Sequence, residues 1–336
     1  FGSSRPGSSL PRPRLEVQPA EMAEQATGDG SDTVDRDAIF GNYKSPLSRQ
    51  FGVSLIVEFI GVMLFQIIGA SATPRMAPFV NGFALAVLIY SAANISGGHL
   101  NPAVTFSVFA CGFFPFTHTL LYMAMQIVGA IIGALVLAGL VPDASVHMGD
   151  AGPGCFDRSV IAPSINDGQV FGWETVMTFM LVSCVYACGI AKPGHGSHTP
   201  YAVGLALLCC AGAGGQYTGA ALNPARVLGP LAVFGCGRDV AWLYIVAHFA
   251  AAILACCVFA LVSGLGPLNP YASAKLLDLT RAEAGWLWLT GVPTARLRTK
   301  GRDNVMDAVR AKAAAEGSSS SGLQAPLIGS GSNVPV

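Results

Sequence analysis

Charged residues are scarce in this sequence, and their scarcity limits the class of protein that it encodes. Only 11% of the 336 residues are Asp, Glu, Lys or Arg, against roughly 25% in an ordinary soluble domain. Only 12 of these charged residues lie between Phe51 and Gly264, and the remainder lie in the two shorter flanks. A long, nearly uncharged region between polar flanks predicts an integral membrane protein.

Acidic residues and catalytic clusters are also rare in this core. Outside the loops its acidic residues are Glu58 and Glu174, too few to supply the coupling-ion ligands that a secondary transporter needs near the midplane. We find no nucleophile with a matching base, so an enzyme is not expected. No Cys-x-x-Cys or Cys/His spacing predicts a metal site. Neither a cofactor nor a nucleic-acid partner is expected.

The cysteines are distributed as small hydrophobic residues. Seven of the nine lie in or against apolar segments, where free Cys packs like any small apolar side chain. Only Cys155 and Cys236 fall in loops, both on the same predicted face. The sequence leaves open whether these two form a disulfide.

The two flanks carry little information about the fold. Residues 1–50 are rich in Pro, Ser, Gly and acidic residues and 315–336 are similarly polar, so both are predicted to be disordered. Within the C-terminal tail, 265–336, the stretch AGWLWLTG is compatible with an interfacial helix. No separate apolar segment precedes the core, so its first span is expected to act as the targeting signal. Because the chain begins with Phe1, we expect its N-terminal end to be incomplete.

The core at 51–264 contains six segments near the roughly 20 residues that cross a bilayer. These predicted spans are 51–71, 77–95, 117–140, 172–190, 200–215 and 241–264. Two apolar stretches are left over, at 101–112 and 223–235. Each is too short to span, and each begins Asn-Pro-Ala.

The two halves of the core, at about 51–140 and 172–264, repeat one pattern. Each has a Glu in its first span, then a glycine-containing loop that ends in Asn-Pro-Ala, then a span with a polar residue and two small residues. The matching positions are Glu58, Gln126, Gly129 and Gly133 in the first half and Glu174, His248, Ala251 and Ala255 in the second. This is an internal duplication. Three spans per half is an odd number, so the second copy is predicted to be inverted and the two short segments to meet at the midplane.

The Asn-Pro pairs explain how polar backbone is tolerated at the membrane midplane. Non-helical backbone at membrane depth persists only where protein or a water-filled cavity satisfies it. Asn is a preferred N-cap and Pro is favoured at the first helical position, so Asn101-Pro102 and Asn223-Pro224 each predict the start of a half-helix. Two such N-termini place partial positive charges and amide donors at one point. A neutral molecule with a lone pair is favoured there, and a cation is not.

Together these features resemble the major intrinsic protein family, the aquaporins and aquaglyceroporins. The resemblance covers residues 51–264 and rests on two complete Asn-Pro-Ala motifs, the repeated Glu, and Arg226 directly after the second motif. It implies an all-α membrane fold of six transmembrane helices plus two reentrant half-helices in an inverted repeat. It also implies a passive channel for water and small neutral solutes, excluding protons and ions, in a membrane-embedded homotetramer.

The resemblance assigns roles residue by residue. Its pore motifs are Asn101, Pro102, Ala103, Asn223, Pro224 and Ala225, with the two Asn side chains as central donors. Backbone carbonyls of 97–100 and 218–222 would line the path as acceptors. Glu58 and Glu174 would hold the reentrant loops, and a proton- or ion-binding role is the alternative. His99 would face a vestibule or simply pack in the interior.

Four positions are expected to form the outer constriction: Asn81, Ala211, Ala220 and Arg226. They include neither the aromatic residue nor the histidine usual in water-selective members, so we expect a wide opening that passes water and at least one larger neutral solute. Glycerol-conducting members usually have an Asp after the Arg, where this chain has Val227. A shift of two residues in the second span would instead bring Phe79 or Phe83 to the pore. The alternatives are a channel mainly for glycerol, urea, ammonia or hydrogen peroxide, and a secondary transporter.

Basic residues predict the orientation. Lys44, Arg49, Lys192 and Lys275 fall on one side, whereas the loop 141–171 carries four Asp and one Arg. Because Lys and Arg concentrate on the cytosolic side, both termini are predicted to be cytosolic. The membrane itself is left open between the plasma membrane and an intracellular, vacuolar one.

Overall fold

The computed structural model of the chain describes residues 49–141, 152–191, 193–277 and 279–291. The predictions of disorder in the two tails therefore lie largely outside the described residues, as do Lys44 and Lys192. Within the described ranges every regular element is helical.

The helices follow the predicted segments closely. In chain order they are α1 Arg49–Ala70, α2 Ala77–Ser96, α3 Pro102–Ala110, α4 Phe116–Leu140, α5 Asp167–Val185, α6 Thr199–Thr218, α7 Pro224–Phe234, α8 Ala241–Ser263, α9 Pro270–Leu277 and α10 Arg281–Thr290. A π-helical turn, Tyr186–Ile190, continues α5, and a 3-10 turn, Gly196–His198, precedes α6.

Six long helices correspond to the six predicted spans. Within the described residues, α1, α2, α4, α5 with its π turn, and α8 are long and apolar enough to cross a membrane. The sixth, α6, has 20 residues but is less apolar, because it ends in the glycine-rich stretch AGAGGQYT. By contrast α3 and α7 have 9 and 11 residues, about half of what a bilayer requires.

The packing has the two-fold pattern of an inverted repeat. In the first half α1 packs against α4, and in the second α5 packs against α8. The halves meet where α2 packs on α6, and the backbones approach closely there: a Cβ added to Gly82 would lie 2.8 Å from the Gly204 carbonyl oxygen. Each short helix lies against the last long helix of the other half, α3 on α8 and α7 on α4.

The short helices run inward from opposite faces. Just after α8, the backbone amides of Gly266 and Leu268 donate to the carbonyls of Cys111 and Gly112 at the end of α3, at 2.7 and 2.9 Å. The end of α7 is tied instead to the segment before α5 by a disulfide between Cys155 and Cys236. The pairing that the sequence left open is therefore present. We call the face at the end of α3, where α9 and α10 also lie, the tail face. We call the face at the end of α7 the disulfide face.

The C-terminal helix α10 packs on the tail face. Thr280 and Glu283 form a capping box at its start. Trp288 stacks on Phe109 of α3 with ring centroids 4.8 Å apart, whereas Trp286 is 53% exposed. A helix is present at the predicted AGWLWLTG stretch, and its contact with a lipid interface stays a prediction.

Candidate functional site

The N-termini of α3 and α7 meet in the interior through their Asn caps. Asn101 Oδ1 accepts from the Ala103 amide and Asn223 Oδ1 accepts from the Ala225 amide, both at 2.9 Å. Each side-chain amide also crosses to the other half: Asn101 Nδ2 donates to the Leu222 carbonyl and Asn223 Nδ2 donates to the Leu100 carbonyl, both at 2.9 Å. An Asn amide has two N–H donors, so one on each residue is left to bond a molecule between the helices.

A buried carboxylate holds the loop before α3. Glu58 accepts from the backbone amides of His99 and Leu100 at 3.0 and 2.7 Å. It also accepts from Ser96 Oγ at 2.7 Å and from Gln126 Nε2 at 2.8 Å. These donors fix the carboxylate in the interior, and the carboxylate in turn fixes the non-helical loop backbone.

The second half repeats this arrangement with one exchange. Glu174 accepts from the amides of Ala221 and Leu222 at 3.1 and 3.0 Å and from Thr218 Oγ1 at 2.6 Å. In place of Gln126 it has His248, whose Nε2 lies 2.9 Å from Glu174 Oε2. The residues matched in the sequence are thus equivalent in space.

Both loops adopt a strained backbone that turns carbonyls inward. Leu100 and Leu222, immediately before the Asn caps, have φ of 48° and 51°, in the left-handed region that side-chain-bearing residues rarely occupy. Two residues earlier, Gly98 has φ of 61° and Ala220 of 54°. At Leu100, Ala220 and Leu222 such a conformation costs of order 1–3 kcal/mol and persists where the surroundings impose it, here through the two carboxylates; at Gly98 it costs little.

A cavity of about 490 Å³ extends from the Asn caps toward the tail face. Its walls include Asn101 and Asn223 at one end, and Gly196 and Ser197 before α6 at the other. Lining residues are mostly apolar, with backbone of 97–99 and 221–222 along one path. A largely apolar wall with a few convergent polar groups is typical of a site for small neutral molecules.

His99 lines this cavity, as the vestibule interpretation expected, and it also packs in the interior. Its ring lies between Phe114 and Tyr122, with centroids 5.1 and 5.5 Å away. His99 Nδ1 is 3.2 Å from Thr105 Oγ1. Both interpretations of His99 that the sequence allowed are therefore compatible with its surroundings.

Arg226 lies past the Asn caps, in the direction of the disulfide face. Its guanidinium is buried and its Cζ lies 5.0 Å from the centroid of the Phe65 ring and 5.7 Å from that of Phe156. Arg226 and Asn81 meet at Gly69: a Cβ added to Gly69 would collide with Asn81 Oδ1 and lie 3.5 Å from Arg226 Nη2. We call Phe65, Gly69, Asn81, Phe156 and Arg226 the Arg226 site.

The side chain of Asn81, one of the four predicted constriction residues, is directed into the helix bundle. It is 4% exposed, and its Nδ2 donates to the carbonyls of Ala77 at 2.8 Å and Gly69 at 3.3 Å. Phe79 and Phe83, the alternative positions, are about half exposed on the single chain, in contrast to the buried Asn81. Within the described residues Asn81 Oδ1 and Arg226 Nε are both buried and have no hydrogen-bond partner.

The remaining two predicted constriction residues contribute little side chain. Ala211 and Ala220 are buried in one apolar cluster with Phe65. None of the four predicted positions is among the residues that line the cavity described above.

Sequence reasoning missed the two aromatic residues at Arg226. The four predicted constriction positions include no aromatic residue, but Phe65 of α1 and Phe156 of the loop before α5 both lie beside the Arg226 guanidinium. For Phe65 a signal existed: it follows Glu58 by seven residues, two helical turns along the same buried face. For Phe156 there was none beyond its position next to Cys155.

A helical membrane protein with two half-helices meeting tip to tip around a cavity belongs to the channel-forming class, and it is not an enzyme. Residues 47–259 match the family model "Major intrinsic protein". The chain belongs to the major intrinsic protein family.

Named relatives and a solved structure agree with this assignment. The chain is 33% identical to Aquaporin A of Dictyostelium discoideum, covering 65% of this chain and 77% of the relative. It is also 33% identical to Aquaporin PIP1-3/PIP1-4 of Zea mays, covering 68% and 83%. The X-ray structure of the aquaglyceroporin from Plasmodium falciparum matches with a TM-score of 0.53 over 62% of this chain and 95% of that one. At 24% identity, that likeness shows the fold alone.

Proposed function

We propose that this protein is a passive channel for water and at least one other small neutral solute, and that it excludes protons and ions. The observation that carries the proposal is the pair of Asn-capped half-helices whose N-termini meet at one end of the cavity. Each N-terminus contributes about half a positive charge, and the Asn amides supply donors. A neutral solute can bond these donors, whereas a cation is repelled.

Arg226 supports ion exclusion at a second level. It is buried beside two aromatic rings, and no carboxylate pairs with it among the described residues. A fixed, uncompensated guanidinium raises the barrier to protons and other cations. If Asn81 faces the path, its amide adds a polar group able to bond a hydroxyl or amide group, which favours urea-like or polyol-like solutes as well as water.

The buried carboxylates argue against a coupled transporter. Glu58 and Glu174 each accept from two loop amides and two side chains of this chain. Because their lone pairs are already committed, we propose that they orient the loops rather than bind a coupling ion.

We further propose that the disulfide face is extracellular or lumenal and that both termini are cytosolic. Disulfides persist in oxidising compartments, so Cys155–Cys236 supports the orientation predicted from the basic residues. The protein is an integral, multi-pass membrane protein, and both a plasma and a vacuolar membrane agree with this orientation. The channel core at 51–264, its tails and a homotetrameric assembly complete the proposal.

Swelling of proteoliposomes tests the function. In an osmotic gradient of an impermeant solute, vesicles that contain the protein should shrink faster than empty vesicles. In gradients of urea, glycerol, ammonia or hydrogen peroxide, they should reswell faster than empty vesicles for at least one of these solutes. Flux should rise linearly with the gradient, and an imposed pH difference should stay intact when ammonia is left out. Saturable flux that requires sodium or protons, or rapid collapse of the pH difference, would overturn the proposal. Solute flux with little water flux would select the alternative of a channel for larger solutes.

A further inference from the structure

The loop between Gly152 and Asn166 covers the pore region on the disulfide face. Its Phe156 is 6% exposed, and the centroid of its ring lies 5.7 Å from Arg226 Cζ. The ring also packs on Tyr244 of α8, with centroids 5.5 Å apart. A Cβ added to Gly219, next to Ala220, would lie 3.3 Å from the Phe156 ring. Phe156 therefore lies where α6, α7 and α8 converge beside the Arg226 site.

A disulfide fixes this position at the neighbouring residue. Cys155 is bonded to Cys236, which follows the end of α7, the helix that carries Arg226. The next residue, Gly237, has a φ of 64°, and its Cα lies so close to the Phe156 carbonyl that a side chain would collide with it. The covalent link thus holds Phe156 and Arg226 in one unit.

An ion cluster anchors the same loop on its exposed side. Arg158 Nε is 3.0 Å from Asp239, and its Nη atoms contact Asp167 at the start of α5. The carboxylates of Asp167 and Asp239 raise the pKa of the Arg158 guanidinium above its ordinary value. These groups are about half exposed, where such pairs contribute little, so the disulfide is the stronger restraint.

We propose that Phe156 is a specificity-determining residue of this channel and that the Cys155–Cys236 disulfide holds it in place against Arg226. The inference deepens the proposed function and rests on it. Phe65 and Phe156 supply the two aromatic walls that the four predicted constriction positions lack. A rigid ring held beside the Arg226 guanidinium is expected to narrow the constriction, so that solutes wider than water are hindered more than water.

A purely structural role makes a different prediction. Phe156 shares an apolar cluster with Ile161, Val240 and Tyr244, so its removal also weakens loop packing. A residue that only packs the loop would affect water and larger solutes alike. The ratio of solute to water permeability therefore separates the two roles.

The test compares three chains in proteoliposomes: wild type, Phe156→Ala and Phe171→Ala. Phe171 packs against the same cluster from α5 and is the matched control for lost aromatic packing. For Phe156→Ala we expect the ratio of urea or glycerol permeability to water permeability to rise about tenfold, the effect of one small change in the fit of an apolar pocket. Phe171→Ala should leave the ratio near that of wild type.

A second experiment, in which the disulfide is opened, tests whether Cys155–Cys236 holds Phe156 in place. Dithiothreitol treatment of the wild type, with opening of the disulfide verified by alkylation, should shift the ratio in the same direction as Phe156→Ala. The double variant Cys155→Ser, Cys236→Ser should show that shift without reductant. In Phe156→Ala, reductant should have no further effect.

The outcomes distinguish this inference from the proposed function. Wild-type vesicles that conduct no better than empty ones would refute both. Conducting wild type with an unchanged ratio in Phe156→Ala would overturn the specificity role alone. An unchanged ratio after verified reduction would overturn the role of the disulfide.

Discussion

Asn223 shows how much chemistry one residue carries at the pore. Its Oδ1 caps α7 and its Nδ2 donates to the Leu100 carbonyl. Changing Asn223→Asp keeps the cap acceptor but removes both N–H donors and places a carboxylate where two helix N-termini meet. We expect neutral flux to fall roughly tenfold, the equivalent of about 1.4 kcal/mol, or a cation conductance to arise. Stopped-flow swelling and vesicle conductance measure the two.

Asn166→Asp is the matched control for that change. Asn166 also caps a helix, α5, but it is exposed on the disulfide face. The control should conduct like wild type. Unchanged flux and no cation current in Asn223→Asp would refute the donor role of Asn223.

Residues whose role depends on their sequence neighbours could be predicted. Residues that a loop places beside the Arg226 guanidinium could not. Asn101 and Asn223 could be assigned because N-cap chemistry depends on the next few residues alone. Phe156 approaches Arg226, 70 positions further along the chain, in a loop that the Cys155–Cys236 disulfide ties to the segment after α7. Counting from a motif cannot anticipate such a contact, since loop length and path are not periodic.

At the scale of elements, each carboxylate joins a long helix to a reentrant loop. In Glu174→Gln, the new amide group would face either the Leu222 amide and His248 or the Ala221 amide and Thr218, so in both orientations an N–H donor would oppose a backbone donor. Breaking a buried network of this kind costs about 3–5 kcal/mol. We expect a lower melting temperature in detergent and reduced flux. Glu283→Gln, in the exposed capping box of α10, should change neither.

A second element-scale prediction concerns the packing of α1 on α4. A Cβ on Gly133 would lie 2.6 Å from the Met63 carbonyl oxygen, whereas a Cβ on Gly139 of the same helix meets nothing within 4 Å. Gly133→Ala should therefore destabilise the protein by about 1–3 kcal/mol through overpacking. Gly139→Ala should leave the thermal midpoint unchanged or slightly raised. Equal midpoints for the two variants would show that α1 and α4 separate freely.

Helix existence and approximate length followed from hydropathy, and details at the helix ends did not. The Asn-Pro pairs fixed the starts of α3 and α7 because capping is local. The π turn after α5 could not be foreseen, since its carbonyl at Cys188 is satisfied by Thr199 Oγ1 and the His195 amide. Those partners lie beyond a loop and become neighbours only in the folded chain.

At the scale of the whole molecule, one chain supplies every wall of the candidate pore. Asn101, Asn223 and Arg226 are each at most 5% exposed within a single chain. Apolar side chains such as Ile56, Val87 and Leu120 are about half exposed or more on the outside of the bundle, where they meet lipid or another subunit. Assembly is therefore not required to build the conduction path.

For the homotetramer that we propose, a conduction path within each chain predicts four pores that act independently. Cross-linking in mild detergent should proceed to tetramers, and a ladder that stops at dimers would contradict the assembly. Co-reconstituted wild type and a low-flux Asn101→Asp, Asn223→Asp double variant should give water permeability that falls in proportion to the fraction of variant subunits. If a shared path between subunits carried the water, one variant subunit would impair the whole assembly, and permeability would fall much more steeply. The dose curve therefore distinguishes pores within subunits from a pore between them.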